Sequence, residues 1–140
     1  MKTITSRESD ETIEIGRKLA PKLIPNSILC LYGELGAGKT TFIKGLARGL
    51  GIEEAVTSPS YVLLREYGDG TTLYHLDLFR LERVEEFGEA GLEEYLVDPE
   101  GVVAIEWADR IEELLPPIRI DVQLGILDQT SREIQIIQKS

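Results

Sequence analysis

With 140 residues and a formal net charge of −10, the chain has room for one folded core but lacks the basic footprint that holds nucleic acid through its phosphates. Hydrophobic residues at 42% and charged residues at 29% are ordinary for a globular protein and exclude a wholly disordered chain. The single cysteine, Cys30, sits in an apolar run, can form no internal disulfide, and reads as a small buried hydrophobe in a reducing cytoplasm.

The amino-terminal stretch MKTITSRESDETIEIG has no long apolar segment and carries acids early, which predicts neither a signal peptide nor a membrane anchor. Thr5-Ser6-Arg7-Glu8 has the spacing of a capping box, with Ser9 as a second cap. Ile13, Gly16, Ala20 and Leu23 then share one helical face, in a helix that stops before the turn at Pro25-Asn26. The run SILCLY, Ser27 to Tyr32, predicts a buried strand. Phe42, Ile43, Leu46, Ala47 and Leu50 recur at helical spacing until Gly49 and Gly51 end the helix.

Thr57-Ser58-Pro59-Ser60 reads as a loop. Tyr61 to Tyr67 and Thr71 to Phe79 read as strands joined through Gly68-Asp69-Gly70. Alternation in the second strand puts His75 and Asp77 on one face. A helical stretch from Val84 to Leu96 is broken by Gly88 and Gly91, and Gly101 to Ile105 is a further apolar run ending at Glu106-Trp107. Ala108 to Leu115 is a brief helix stopped by Pro116-Pro117. Ile118 to Ile126 and Arg132 to Gln138 pair across the turn Asp128-Gln129-Thr130. No linker or repeat divides the chain, so residues 1–140 form one domain. The expected fold is α/β, with a central, partly parallel sheet flanked by helices.

The segment Gly33-Glu34-Leu35-Gly36-Ala37-Gly38-Lys39-Thr40 satisfies the P-loop pattern G-x-x-x-x-G-K-[ST], between a predicted strand and a predicted helix. A polyphosphate is gripped closely only where the backbone turns inward and aims several N–H groups at one spot, and glycine permits that turn without a Cβ in the way. The helix amino terminus adds further donors and the positive end of its dipole. In this pattern Lys39 neutralises the β and γ phosphates of ATP, Thr40 ligates Mg²⁺, and Thr41 reaches the α-phosphate side.

Hydrolysis also needs an acid for the metal's water shell or the attacking water. Asp77 and Glu106 are the candidates, because both stand at strand ends, where ligands of open parallel sheets bind. Against this, Asp77 could cap a helix start or pair with Arg80, and Glu106 could simply be solvated. His75, the one histidine, either shapes Asp77 beside it or is a half-buried spacer. Trp107 fits a stacking role near the nucleotide or a place in the core. Arg48, Arg65, Arg80 and Arg110 could each stabilise phosphoryl charge, and spacing selects none.

GELGAGKT, the loop TSPSYVL, the strand YHLDLFR and the ending IEWADR, in this order, resemble the TsaE family (also called YjeE) of small bacterial P-loop ATPases. The resemblance runs from the first helix to near Pro117. It implies that the segment from Gly33 to Thr41 is the family's phosphate and magnesium loop. It further implies that Thr57, Ser58 and Ser60 form a switch-like loop, with Ser60 where relatives commonly have threonine. Asp77 matches the metal-associated acid, Glu106 the acid supporting hydrolysis and a metal contact, and Trp107 lies next to the nucleotide. The family implies ATP and Mg²⁺ as cofactors and TsaB and TsaD as protein partners in threonylcarbamoyladenosine modification of tRNA. The acidic chain would then meet tRNA only through those partners, and its own ATPase would be slow. The resemblance carries no function onto the carboxy-terminal strands.

Two rivals remain at this level. A small-molecule kinase needs an acceptor pocket and an arginine-bearing lid, for which this length leaves little room. A nucleotide switch would bind without hydrolysing. A GTPase lacks support, since no N-K-x-D-type segment is present.

Overall fold

A computed structural model describes residues 1–57, 63–68 and 72–140. The proposed loop at Ser58-Pro59-Ser60, the start of the strand at Tyr61, and Asp69-Gly70 and Thr71 of the hairpin lie outside the described residues.

The strands are β1 (Lys2–Ser6), β2 (Ile28–Tyr32), β3 (Leu64–Tyr67), β4 (Leu73–Asp77), β5 (Val102–Glu106), β6 (Arg119–Ile126) and β7 (Arg132–Lys139). They form one seven-stranded sheet in the order β1-β7-β6-β2-β5-β4-β3. The pairs β6–β2, β2–β5 and β5–β4 are parallel, while β3 on one side and β7 and β1 on the other are antiparallel. The sheet is therefore mixed with a parallel centre, as expected.

A parallel centre must be covered on both faces, and the apolar runs supply residues for each. Leu29 and Leu31 of β2, with Val102 and Ala104 of β5, pack on one face with Phe42, Ile43 and Leu46. Ile28, Cys30, Val103 and Ile105 point the other way and meet Phe87, Leu92 and Ile111. The first face is covered by α1 (Ser9–Leu19) and α2 (Lys39–Gly49), the second by α3 (Glu85–Glu89) and by 3₁₀ turns at Glu93–Leu96 and Ala108–Leu114. The helical stretch before β5 is interrupted at Gly91, which adopts φ +75°, whereas Gly88, read from the sequence as a second breaker, lies inside α3.

The two helices of the first face cross very closely. A methyl group at Gly16 would overlap the Phe42 carbonyl oxygen, and one at Gly45 would overlap that of Ile13. Beyond α2, Gly51 adopts φ +82°; its N–H donates to Arg48 O at 3.1 Å and that of Ile52 to Ala47 O at 2.9 Å, which closes the helix with a Schellman motif.

One expectation fails at the amino terminus. Thr5 and Ser6 are not a capping box: they end β1, a strand not anticipated, whose residues pair with Glu133 and Arg132 of β7. Glu8 precedes the helix, and neither it nor Ser9 caps it through a side chain. Instead the Arg7 N–H donates to the Glu11 carboxylate at 2.6 Å, and the Ser6 hydroxyl bonds that of Thr12 at 2.7 Å. KTITS carries a single apolar residue, Ile4, so there is no apolar alternation to declare a strand; β1 is made by its partner.

Candidate functional site

Because β2, β4 and β5 are parallel, their carboxyl ends lie along one edge of the sheet. Leu31 pairs with Glu106, and Glu106 with Asp77, so the start of the glycine loop and both acids share one row. Alternation along β4 and β5 turns His75, Asp77 and Glu106 to the face that α2 covers. The sequence between Tyr32 and Lys39 then has to reverse direction over that row, and Gly36 at φ +83° and Gly38 at φ +101° provide the reversal. Gly38 is the last residue before α2, whose first N–H groups face the loop.

Lys39 is buried, and its ammonium donates to the carbonyl oxygens of Gly33 at 2.6 Å and Glu34 at 3.0 Å. Burial lowers its pKa from the ordinary lysine value, and the carboxylates of Glu106, Asp77 and Asp109 oppose that shift. The same ammonium stands 4.2 Å from the centre of the Trp107 ring, and that ring stacks at a tilt on Phe79 with centroids 5.1 Å apart. Trp107 itself holds φ +59°, a left-handed conformation uncommon for a bulky residue, at the turn leaving β5.

Glu106 is only 3% exposed, which removes the solvated alternative. Its Oε2 accepts the Thr40 hydroxyl at 2.8 Å and lies 2.6 Å from His75 Nε2. Asp77 is 4% exposed, and its Oδ1 accepts the Phe79 N–H at 3.0 Å. His75 is fully buried rather than half-buried, and its hydrogen bond goes across to Glu106, not to Asp77 beside it in sequence.

Lys39, Thr40, Asp77, Phe79, Glu106 and Trp107, but not His75, border a cavity of about 390 Å³, lined also by Leu35, Gly36, Gly38 and Thr41. Among the other loop positions, Gly33 and Glu34 serve through their carbonyl groups, and Ala37 is buried beneath the loop. A second cavity, about 210 Å³, lies on the other side of Gly36 and Gly38, between Ser9 and Thr12 of α1 and Thr130 and Arg132 of the β6–β7 hairpin. Arg132 donates from Nη2 to the Gly36 carbonyl at 3.0 Å. No sequence signal singled out Arg132, which lies 96 residues from Gly36. Of the arginines named earlier, Arg110 approaches the site, 5.4 Å from the Trp107 ring centre.

An inward-turned glycine loop on a helix amino terminus, a buried ammonium at its root, and a hydroxyl and two carboxylates along the strand ends are the arrangement of a P-loop NTPase-like fold. The family described as "Threonylcarbamoyl adenosine biosynthesis protein TsaE" matches residues 6–134, and this chain belongs to that family. A tRNA threonylcarbamoyladenosine biosynthesis protein TsaE of Treponema pallidum is 41% identical over 131 residues, covering 94% of this chain and 96% of that protein. Its namesake in Bacillus subtilis is 44% identical over 126 residues, covering 89% and 78%. The crystal structure of Bacillus subtilis YdiB superposes with a TM-score of 0.84 at 36% identity, covering 99% of this chain and 86% of that one. The family match extends past Pro117 into β7, so it takes in Arg132 and the hairpin that the motifs left out.

Proposed function

We propose that the protein is a magnesium-dependent ATPase that acts with TsaB and TsaD in the threonylcarbamoyladenosine modification of tRNA, in the cytoplasm, as one P-loop domain. The observation that carries this reading is the convergence of the loop, Lys39, Thr40, Asp77 and Glu106 on one cavity at the carboxyl ends of the parallel strands. The names of the Treponema and Bacillus relatives support the pathway.

The residues fit the groups proposed. Gly36 and Gly38 leave the inside of the loop free of side chains, and the ammonium of Lys39 is held at the cavity by carbonyl groups that an anion can replace as its partner. Among the described residues no three of His, Cys, Asp and Glu converge into a self-sufficient metal cage. A magnesium ion keeps water and phosphate oxygens and takes one or two protein ligands, which the Thr40 hydroxyl and the carboxylates lining the cavity can offer. Thr40 would be such a ligand, Asp77 would hold the water shell, and Glu106 would touch both metal and the attacking water. When bound, the metal supplies charge neutralisation across the phosphates. Lys39 adds a second cation, and Trp107, which lines the cavity beside it, would lie next to the nucleotide. Glu106, within hydrogen-bond reach of the cavity, accepts and returns the proton of water.

No helix among the described residues is long and apolar enough to cross a membrane. With net charge −10, contact with tRNA is left to the partners. Calorimetry with Mg-ATP, followed by a pull-down with TsaB and TsaD with and without ATP, tests the two levels separately. Heat of association and ATP-dependent capture are expected. Failure to capture under both conditions removes the pathway role, and absence of heat removes the nucleotide reading itself.

A further inference from the structure

Among the described residues, the imidazole of His75 combines full burial with one short bond and one empty position. Its Nε2 lies 2.6 Å from Glu106 Oε2, and its Nδ1 has no hydrogen-bond partner among the described residues. A buried, unpaired ring nitrogen is a cost that an apolar ring of similar size would avoid, so packing does not account for a histidine here. The register explains how the two meet. His75 stands opposite Ala104 and Asp77 opposite Glu106, so His75 and Glu106 are diagonal neighbours on one face. The small Ala104 side chain, itself fully buried, leaves the imidazole room to lean across β5.

We propose that His75 is a positioning residue for Glu106, donating from Nε2–H to Oε2 and so fixing the carboxylate against the sheet, with Oε1 left for the cavity. Oε2 has a second donor, the Thr40 hydroxyl at 2.8 Å, but that hydroxyl belongs to the loop helix and is the one to be recruited by a metal. The bond from His75 spans two neighbouring strands of the sheet and needs no change when the loop takes up its ligand. Glu106 therefore keeps its orientation at the moment Thr40 is called away. With Nδ1 unpaired, the proton of a neutral imidazole belongs on Nε2, where the acceptor is. The role proposed for His75 rests on the reading of Glu106 as the acid that serves turnover.

The chain contains one histidine, so its ring signals are unambiguous. Long-range ¹H–¹⁵N spectra of the wild-type protein should show the Nε2–H tautomer, and Glu106→Gln should shift the Nε2 resonance. A proton on Nδ1 instead, or an Nε2 signal indifferent to Glu106→Gln, overturns the proposal. In phosphate-release assays, His75→Leu should lower kcat by about 10-fold, with KM for ATP and calorimetric Mg-ADP affinity near wild type. His75→Gln, whose amide nitrogen can stand in for Nε2–H, should recover part of that loss. Wild-type kcat in His75→Leu, or equal losses in the leucine and glutamine variants, speaks against positioning. A wild-type protein that turns over no ATP defeats the functional reading; the tautomer and the response to Glu106→Gln then decide the His75–Glu106 bond by themselves.

Discussion

Asp77 and Glu106 are register partners at the ends of adjacent parallel strands, yet their carboxylates are held differently. Asp77 Oδ1 accepts a main-chain N–H from Phe79, whereas Glu106 Oε2 is shared by the side chains of Thr40 and His75. The Phe79 bond ties Asp77 to the turn after β4, and the bonds to Thr40 and His75 set Glu106 in a side-chain network; both acids line the cavity. Asp77→Asn should accordingly raise the magnesium concentration for half-maximal turnover by about 10-fold. Glu106→Ala should bind Mg-ATP nearly as wild type does while turnover falls by roughly 100-fold or more. Titration calorimetry and phosphate release measure the two effects. Undiminished turnover in Glu106→Ala would remove that acid from the mechanism and favour a switch that only binds.

Lys39→Ala should weaken Mg-ATP binding at least ~30-fold, since truncating one partner of a desolvated charge pair costs about 2 kcal/mol or more. Calorimetry reads this directly, and undiminished affinity would place the phosphates elsewhere. The variant also removes the two bonds from Nζ to Gly33 and Glu34, so the loop should show altered amide exchange even without nucleotide.

Two glycine substitutions should separate fold from function. At Gly45 a methyl group overlaps the Ile13 carbonyl, so Gly45→Ala forces α1 and α2 apart and should cost about 1–3 kcal/mol or more in urea unfolding. At Gly36 nothing lies within 4 Å of an added Cβ, but φ is +83°. Gly36→Ala should lose only about 1 kcal/mol of stability through backbone strain, with its larger effect on nucleotide affinity. A reversed ranking in unfolding would contradict the close helix crossing.

Cys30 gives a pH dependence with a definite sign. Burial, with Asp121 nearby, pushes its thiol from 9.0 up to about 12. Above the unfolded value the unfolded chain releases a proton that the folded chain keeps, so this contribution is level below pH 9 and declines from there towards 12. Between pH 8 and pH 10 wild type should lose about 1.4 kcal/mol more than Cys30→Ala does. Parallel unfolding curves for the two proteins across that interval would refute the shift.

Much of the site was legible because it is local. The strand SILCLY, the glycine loop and the helix after it are consecutive, and each carries its own periodicity and breakers. Period-two alternation correctly put His75 and Asp77 on one face, but it could not say which strand lies beside them. The bond from His75 to Glu106 spans 31 residues, and that from Thr40 to Glu106 spans 66. Such contacts follow from strand order, which one sequence does not reveal. The same reason hid Arg132 and the strand at Lys2–Ser6, which exists through β7, more than a hundred positions later.

The pairing of β1 with β7 also sets how the molecule answers to force. β1 rises towards Ser6 while β7 descends from Arg132, so both extremities, near Lys2 and Lys139, emerge beneath the sheet, opposite the glycine loop. Anchoring by either extremity leaves the loop pointing outward from a support. Tension between the two would unzip β1 from β7 one rung at a time, beginning where Lys2 meets Ile136, and would give way at low load before the parallel centre is stressed.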